Sequence, residues 1–200
     1  MPLPTRDSEL VQIADAALSD AARRAGTWLA CRPGCTQCCH GAFAINALDA
    51  ERLRAGVAAL HDADPQRAQA LEARARAWIA EHAADFPGDA ETGILGETED
   101  EQEAFEDFSD DAVCPALDPE TGLCDVYTHR PMTCRVFGPP VRTQTEEGAG
   151  LGCCELCFIG ASNQEIAASE MSVPHNLESE LLTELGDERE TVVAYALLRD

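Results

Sequence analysis

Ten cysteines in three groups carry most of the chemistry open to this sequence. The first group is the run Cys31-Arg-Pro-Gly-Cys35-Thr-Gln-Cys38-Cys39-His40. The second is Cys114, Cys124 and Cys134, with nine residues in each gap. The third is Cys153-Cys154-Glu-Leu-Cys157. Thiols two or three residues apart on a turn can converge on one ion, because the turn has already closed the loop between them. Zinc takes four such ligands tetrahedrally, and iron–sulfur clusters are likewise held by four cysteines. The expected chemistry is therefore binding of zinc or of iron, the latter as an ion or a [4Fe-4S] cluster, with all ten cysteines as candidate ligands. Thiol redox or disulfide chemistry is the competing reading. Seven cysteines in the first two groups exceed one tetrahedral site. The expected arrangement draws ligands from both into one site that joins distant chain segments, while the third group completes it or forms a second.

A zinc ion held by four thiolates carries a net charge of about −2 and calls for compensating donors around it. Arg32, Arg130 and Arg135 are candidates, since they follow Cys31 and flank Cys134. The alternative is that they pair with the abundant carboxylates. Tyr127 and Pro131 are expected to pack the second group's turn. His40 and His129 lie within or beside the groups and are candidate ligands, with a supporting or exposed role as the stronger expectation. His61, His82 and His175 have no motif around them. A nucleotide-binding glycine loop, an HExxH helix and a nucleophile elbow are all missing.

The elements expected to position these residues are mainly helical. Residues 8–30 read as a helix capped by Asp7 or Ser8, with Leu10, Ile13, Ala17, Leu18, Ala21 and Leu29 near one face. Asp49 is the expected cap of a second helix carrying Leu53, Val57 and Leu60. Asp64-Pro65 has the form of an N-cap followed by proline at the first helical position, and opens a third helix with Leu71, Ala75, Trp78 and Ile79. Residues 97–111 hold nine acidic residues in fifteen and read as a solvated insertion or linker. Residues 112–160 are turn-rich, with no room for a helix of useful length. Asn176 is the expected cap of a helix over 177–185 that Gly186 ends, and Asp187 and Glu190 have capping-box spacing ahead of Val193, Ala196 and Leu197. The expectation is one mainly α domain over residues 1–200, a small helical body with a turn-rich, cysteine-ligated metal-binding segment.

Composition narrows the function classes. The chain has 200 residues, 37 acidic and 14 basic, for a net charge of −23, and every basic residue is arginine. That balance argues against nucleic-acid phosphates and anionic membrane surfaces as partners, both of which need clustered Lys and Arg. No apolar run approaches the roughly 20 residues of a membrane span, and the start of the chain lacks a secretory apolar region. The expected compartment is the reducing cytoplasm, where clustered cysteines bind metal or do redox chemistry more often than they form disulfides. Leu, Ile, Val and Phe together make 40 residues, few for so charged a chain, so metal ligation is expected to share the work of holding it together.

The runs CRPGCTQCCH and CPALDPETGLCDVYTHRPMTCR resemble the YkgJ-type cysteine-cluster proteins, described as a putative zinc- or iron-chelating domain (CxxCxxCC). The resemblance covers about residues 31–137 and is carried by Cys35, Cys38, Cys39, Cys114, Cys124, Tyr127, Arg130, Pro131, Cys134 and Arg135. It departs at Cys31, which has three residues between it and Cys35 where the pattern has two. It implies a metal site more firmly than an activity. A related cysteine pattern in the larger flagellin lysine N-methylases makes an iron–sulfur oxidoreductase or a protein-modifying enzyme the alternative function. Cys31-x3-Cys35-x2-Cys38 also has the cluster-binding spacing of radical S-adenosylmethionine enzymes. Gln37 stands where those usually carry an aromatic residue, and no alternating strand–helix pattern accompanies it.

Overall fold

The computed structural model describes residues 2–145 and 148–198. Its described residues hold eight α-helices, and its strands form four two-stranded ladders. The mainly α expectation is met.

Helix α1 spans Asp7–Ala25. It ends five residues before the expected boundary, because Gly26 takes a positive φ of 55° and the chain tightens into a 3-10 turn over Gly26–Trp28. Arg6, without a side-chain cap, precedes α1, and Asp7 turns inward to meet Arg52. Helix α2 is Ala47–Ala63, and Asn46 rather than Asp49 caps it, accepting from the Asp49 N–H at 3.0 Å. Helix α3, Pro65–His82, starts as the Asp64-Pro65 signal demands, with the Asp64 carboxylate accepting the Arg67 N–H. The main core lies where α2 and α3 meet the chain's last turns. Leu53, Val57, Leu71, Ala75, Val193 and Leu197 are buried there, and Cys114 and Cys124 lean against them.

The acidic stretch is more ordered than a linker. Residues Glu99–Glu106 form helix α4, started by a Thr98/Glu101 capping box. Its carboxylates face solvent as expected, but Phe108 behind it is 6% exposed and packs edge-on to Phe86 and Trp78. Short ladders fold the rest against the helices. Strand β1 (Ala44–Ile45) pairs antiparallel with β8 (Thr191–Val192), while β2 (Gly88–Asp89) pairs with β3 (Ile94–Leu95). Strands β4 (Leu117–Asp118) and β5 (Leu123–Cys124) form a hairpin, and β6 (Val141–Thr145) pairs antiparallel with β7 (Gly148–Gly152).

Helix α5 is one short turn, Met132–Val136, within the segment read as turn-rich, and α6 covers Asn163–Ala168. Helix α7, His175–Leu185, begins two residues before the expected start, after Pro174, and stops at Gly186 in the left-handed conformation. The expected capping box at Asp187 does not form. Asp187 instead accepts from Arg189, and α8 is only Val193–Ala196. Among the described residues no helix is long and apolar enough to cross a membrane.

Candidate metal centre

The first and second cysteine groups are stitched together by backbone. A 3-10 turn over Gln37–Cys39 presents Cys38 and Cys39. His40 then bridges Val113 antiparallel, so the Cys114 N–H donates to the Cys39 carbonyl at 2.8 Å and the Gly41 N–H to the Ala112 carbonyl at 2.9 Å. Gly41 needs its φ of 80°, and a side chain there would press on the Asp110 carbonyl.

Cys124 arrives on the β4–β5 hairpin. Its neighbour Asp125 has a fully buried carboxylate, bonded by Arg67 and, at 2.5 Å, by Arg74, both on α3. Arg74 also donates to the Pro115 carbonyl, one residue after Cys114. One arginine thus fixes the segments that carry two of the thiols.

Cys134 sits on α5, which is tied to both long helices. The Met132 N–H donates to Asp49 at 2.9 Å, and Asp49 pairs with Arg52, which also grips Asp7 at the start of α1. All three charged residues are buried. Two carboxylates sharing one guanidinium leave excess negative charge in the interior, and burial raises Asp49 to about 6. Next to Cys134, Arg135 is 1% exposed and bonds both oxygens of Asp15 at 2.8 Å and the carbonyls of Thr128 and Arg130. Beneath this turn lies Gly56 of α2, where a Cβ would come within 2.7 Å of the His129 Cβ. A glycine in mid-helix weakens α2, and here it lets the Tyr127–His129 turn approach the helix closely.

The thiols of Cys38, Cys39, Cys114, Cys124 and Cys134 form one mutually interacting group. A hydrogen bond from the Cys39 thiol, helped by the nearby Arg130 guanidinium, lowers Cys38 to about 6. Sharing that proton raises Cys39. Burial raises Cys114 to about 12 and Cys134 well above the ordinary thiol range, and raises Cys124 too. The group holds one readily formed thiolate among sulfurs kept protonated by desolvation and by each other.

Cys31, Cys35, Cys154 and Cys157 interact separately, among themselves. Cys153 is exposed beside them. The first run therefore divides between Cys35 and Cys38, a division its spacing does not reveal. All ten cysteines are free thiols.

The remaining candidates take lesser places. Arg130 takes the expected carboxylate pairing, bonding Asp15 at 3.4 Å, lies 4.1 Å over the Tyr127 ring, and its charge favours the Cys38 thiolate. Arg32 offers its carbonyl to the Cys35 N–H. His129 packs over Gly56, and burial together with Arg135 lowers its imidazole. The His40 side chain is exposed, His61 bonds Glu72, and the His82 Nδ1–H donates to the Trp78 carbonyl while its ring stacks on that indole.

Sequence reading missed Asp7, Asp49 and Arg52. A signal existed, because Asp49 lies four residues before Leu53 on the stripe read as apolar. Asp15 and Asp125 had no local signal, because their arginine partners lie 51 to 120 residues away.

Among the described residues no three His, Cys, Asp or Glu side chains stand as a ready-made metal-holding set, so holding an ion requires the thiols to draw inward. Their chemistry fits a thiophilic cation. Cys38, Cys39, Cys114, Cys124 and Cys134 are each partly exposed, and a cation is what releases protons from thiols that burial holds neutral.

The family described as CxxCxxCC, putative zinc- or iron-chelating domain, matches residues 30–157. The chain belongs to this family. Its match begins just before Cys31 and ends at Cys157, so it takes in every cysteine of the chain. Neither a curated protein nor a solved structure gives a match.

Proposed function

We propose that this chain binds zinc or iron through the inner group of Cys38, Cys39, Cys114, Cys124 and Cys134. The observation that carries the reading is the bridge from Cys39–Gly41 to Ala112–Cys114, which brings the family's two cysteine segments side by side over the main core. A bound ion would supply a cross-link among three segments otherwise held by hydrogen bonds and a modest apolar core. The chain's residues do the rest. Arg130 offsets the negative charge that thiolates would accumulate, Arg135 and Asp49 hold the Cys134 turn, and Arg74 holds Cys114 and Cys124 in register.

Free thiols in such number suit a reducing compartment, and we place the protein in the cytoplasm. With a net charge of −23, metal rather than nucleic acid or an anionic membrane is the partner this chemistry favours.

Metal analysis of protein purified without oxygen tests the reading. Near-stoichiometric zinc or iron is expected. A visible charge-transfer band with acid-labile sulfide identifies an iron–sulfur cluster, and a colourless protein with zinc identifies a zinc site. Absence of both metals from freshly purified, reduced protein refutes the proposal.

A further inference from the structure

Three sulfurs of the outer group touch one another, and one of the three is open to solvent. Cys157 is the shared partner, because Cys31 and Cys154 each share a hydrogen bond with its sulfur. Cys154 and Cys157 are buried, whereas Cys31 is exposed. Phe158 contributes to this burial. It adopts a positive φ of 56°, rare for an aromatic residue, and packs its ring with Cys154 and Cys157 against Ala25, Trp28 and Ala161.

Backbone bonds hold Cys31 and Cys157 side by side although they lie more than a hundred residues apart. The Phe158 N–H donates to the Trp28 carbonyl at 2.9 Å, and the Ala30 N–H donates to the Cys157 sulfur at 3.4 Å. The Cys31 sulfur rests against Gly138, where a Cβ would stand 2.8 Å from it, and the Cys154 N–H donates to the Gly138 carbonyl at 3.2 Å. A disulfide forms without backbone strain only where the two chains already run close together. These bonds bring the two chains together, so closure is chiefly a movement of two sulfurs. Cys154 is turned toward its own chain, where its sulfur accepts the Leu156 N–H.

We propose that Cys31 and Cys157 are a redox pair, in which exposed Cys31 reacts with a small disulfide of a cellular thiol and buried Cys157 then closes an intramolecular disulfide. In the first step the Cys31 sulfur gives its proton to solvent and attacks the small disulfide. One sulfur–sulfur bond breaks, another forms, and the departing thiolate takes up a proton. In the second step Cys157 loses its proton and attacks the Cys31 sulfur, releasing the second small thiol. The protein dithiol is oxidised by two electrons and the small disulfide is reduced to two thiols. The Ala30 N–H is placed to steady the Cys157 thiolate as it forms. Burial and neighbouring thiols push Cys31 up to about 12, so the first attack is the slow step at neutral pH. Cys153 is exposed as well, but it interacts with Cys157 through charge and not through a hydrogen bond. In a reducing compartment the pair rests as two thiols and closes when small disulfides accumulate.

The test exposes the full chain, purified without oxygen, to oxidised glutathione, then blocks free thiols and maps the digested peptides by mass spectrometry. A peptide pair linking Cys31 to Cys157 is expected as the main protein disulfide, with glutathione retained on Cys153 and not on Cys31. The Cys157→Ser variant should carry about tenfold more glutathione on Cys31 than the wild type, because the thiol that resolves the adduct is gone. A main disulfide between Cys154 and Cys157, or between any other two cysteines, overturns the proposal. So does glutathione that stays on wild-type Cys31, or a chain whose Cys31 and Cys157 both remain free thiols. The wild-type map decides even if the serine variant fails to fold, and none of these outcomes bears on metal binding by the inner group.

Discussion

Replacing Arg135 by methionine removes the guanidinium that holds the Cys134 turn while keeping an apolar chain of similar length. Arg135 is 1% exposed and spreads four bonds over three partners: both oxygens of Asp15, the Arg130 carbonyl and the Thr128 carbonyl. Asp15 is 45% exposed on its side chain and keeps Arg130 as a partner, so it rehydrates at small cost. Arg130 is buried and Thr128 is exposed, so the Arg130 carbonyl is the acceptor left buried without a donor, at about 1–3 kcal/mol, while the Thr128 carbonyl can turn to water. The substitution should therefore cost about 1–3 kcal/mol, a sizeable share of the roughly 5–15 kcal/mol that holds a typical domain. Asp15→Asn leaves both carbonyl bonds in place and should cost about 1 kcal/mol or less, as expected of a half-exposed ion pair. Urea denaturation of the two variants and the wild type, reduced and without oxygen, measures both. A loss below about 1 kcal/mol for Arg135→Met would refute the assignment of Arg135 as the turn's anchor. If Asp15→Asn costs as much as Arg135→Met, the ion pair and not the carbonyl ties holds the turn.

Three further outcomes are expected. Burial raises Asp49 to about 6 from 3.8, so the folded protein holds that proton more tightly than the unfolded chain. The stability this proton confers is present below about pH 4 and lost as pH rises through about 6, up to about 3 kcal/mol, and Asp49→Asn should flatten that part of the profile. An unchanged profile would mean that Asp49 is ionised throughout. Phe108→Ala should cost about 3–5 kcal/mol in denaturation, since its ring is the buried anchor of the acidic segment, whereas Glu99→Gln on α4 should stay within about 0.5 kcal/mol. Equal effects would return residues 97–111 to a loose linker. Burial holds Cys114 and Cys134 as neutral thiols, so metal binding should release protons and tighten as pH rises from 6 to 9. Titration in weakly buffered solution reads the protons directly, and binding without proton release would show that the thiolates are already formed.

Local chemistry explains which features were readable in the sequence. The Asp64-Pro65 start of α3 and the Gly186 end of α7 depend on residues within one turn of each other, and both stand where their signals put them. The start of α2 was misplaced because Asn46 and Asp49 have the same capping chemistry. Asn46 caps, and Asp49 is thereby turned inward to Arg52 and the Met132 N–H. The acidic stretch hid a helix because charge density says that a segment meets water, not that its backbone is irregular. Phe105 and Phe108 were the sequence's trace of the docking.

The sequence by itself determined the family, the helical character and the sulfur chemistry. Each of these is written in residue types and short spacings, and short spacings are set by covalent reach. Tertiary structure decided how the ten thiols divide. Cys35 and Cys38 are three positions apart, yet Cys38 belongs with Cys114, Cys124 and Cys134, while Cys35 belongs with Cys154 and Cys157. Spacing says only which sulfurs are able to approach one another. Which ones do depends on partners more than a hundred residues away for the outer group and about seventy-five for the inner. Those partners are brought in by the Ala30–Cys157 contact on one side and the His40–Val113 bridge on the other.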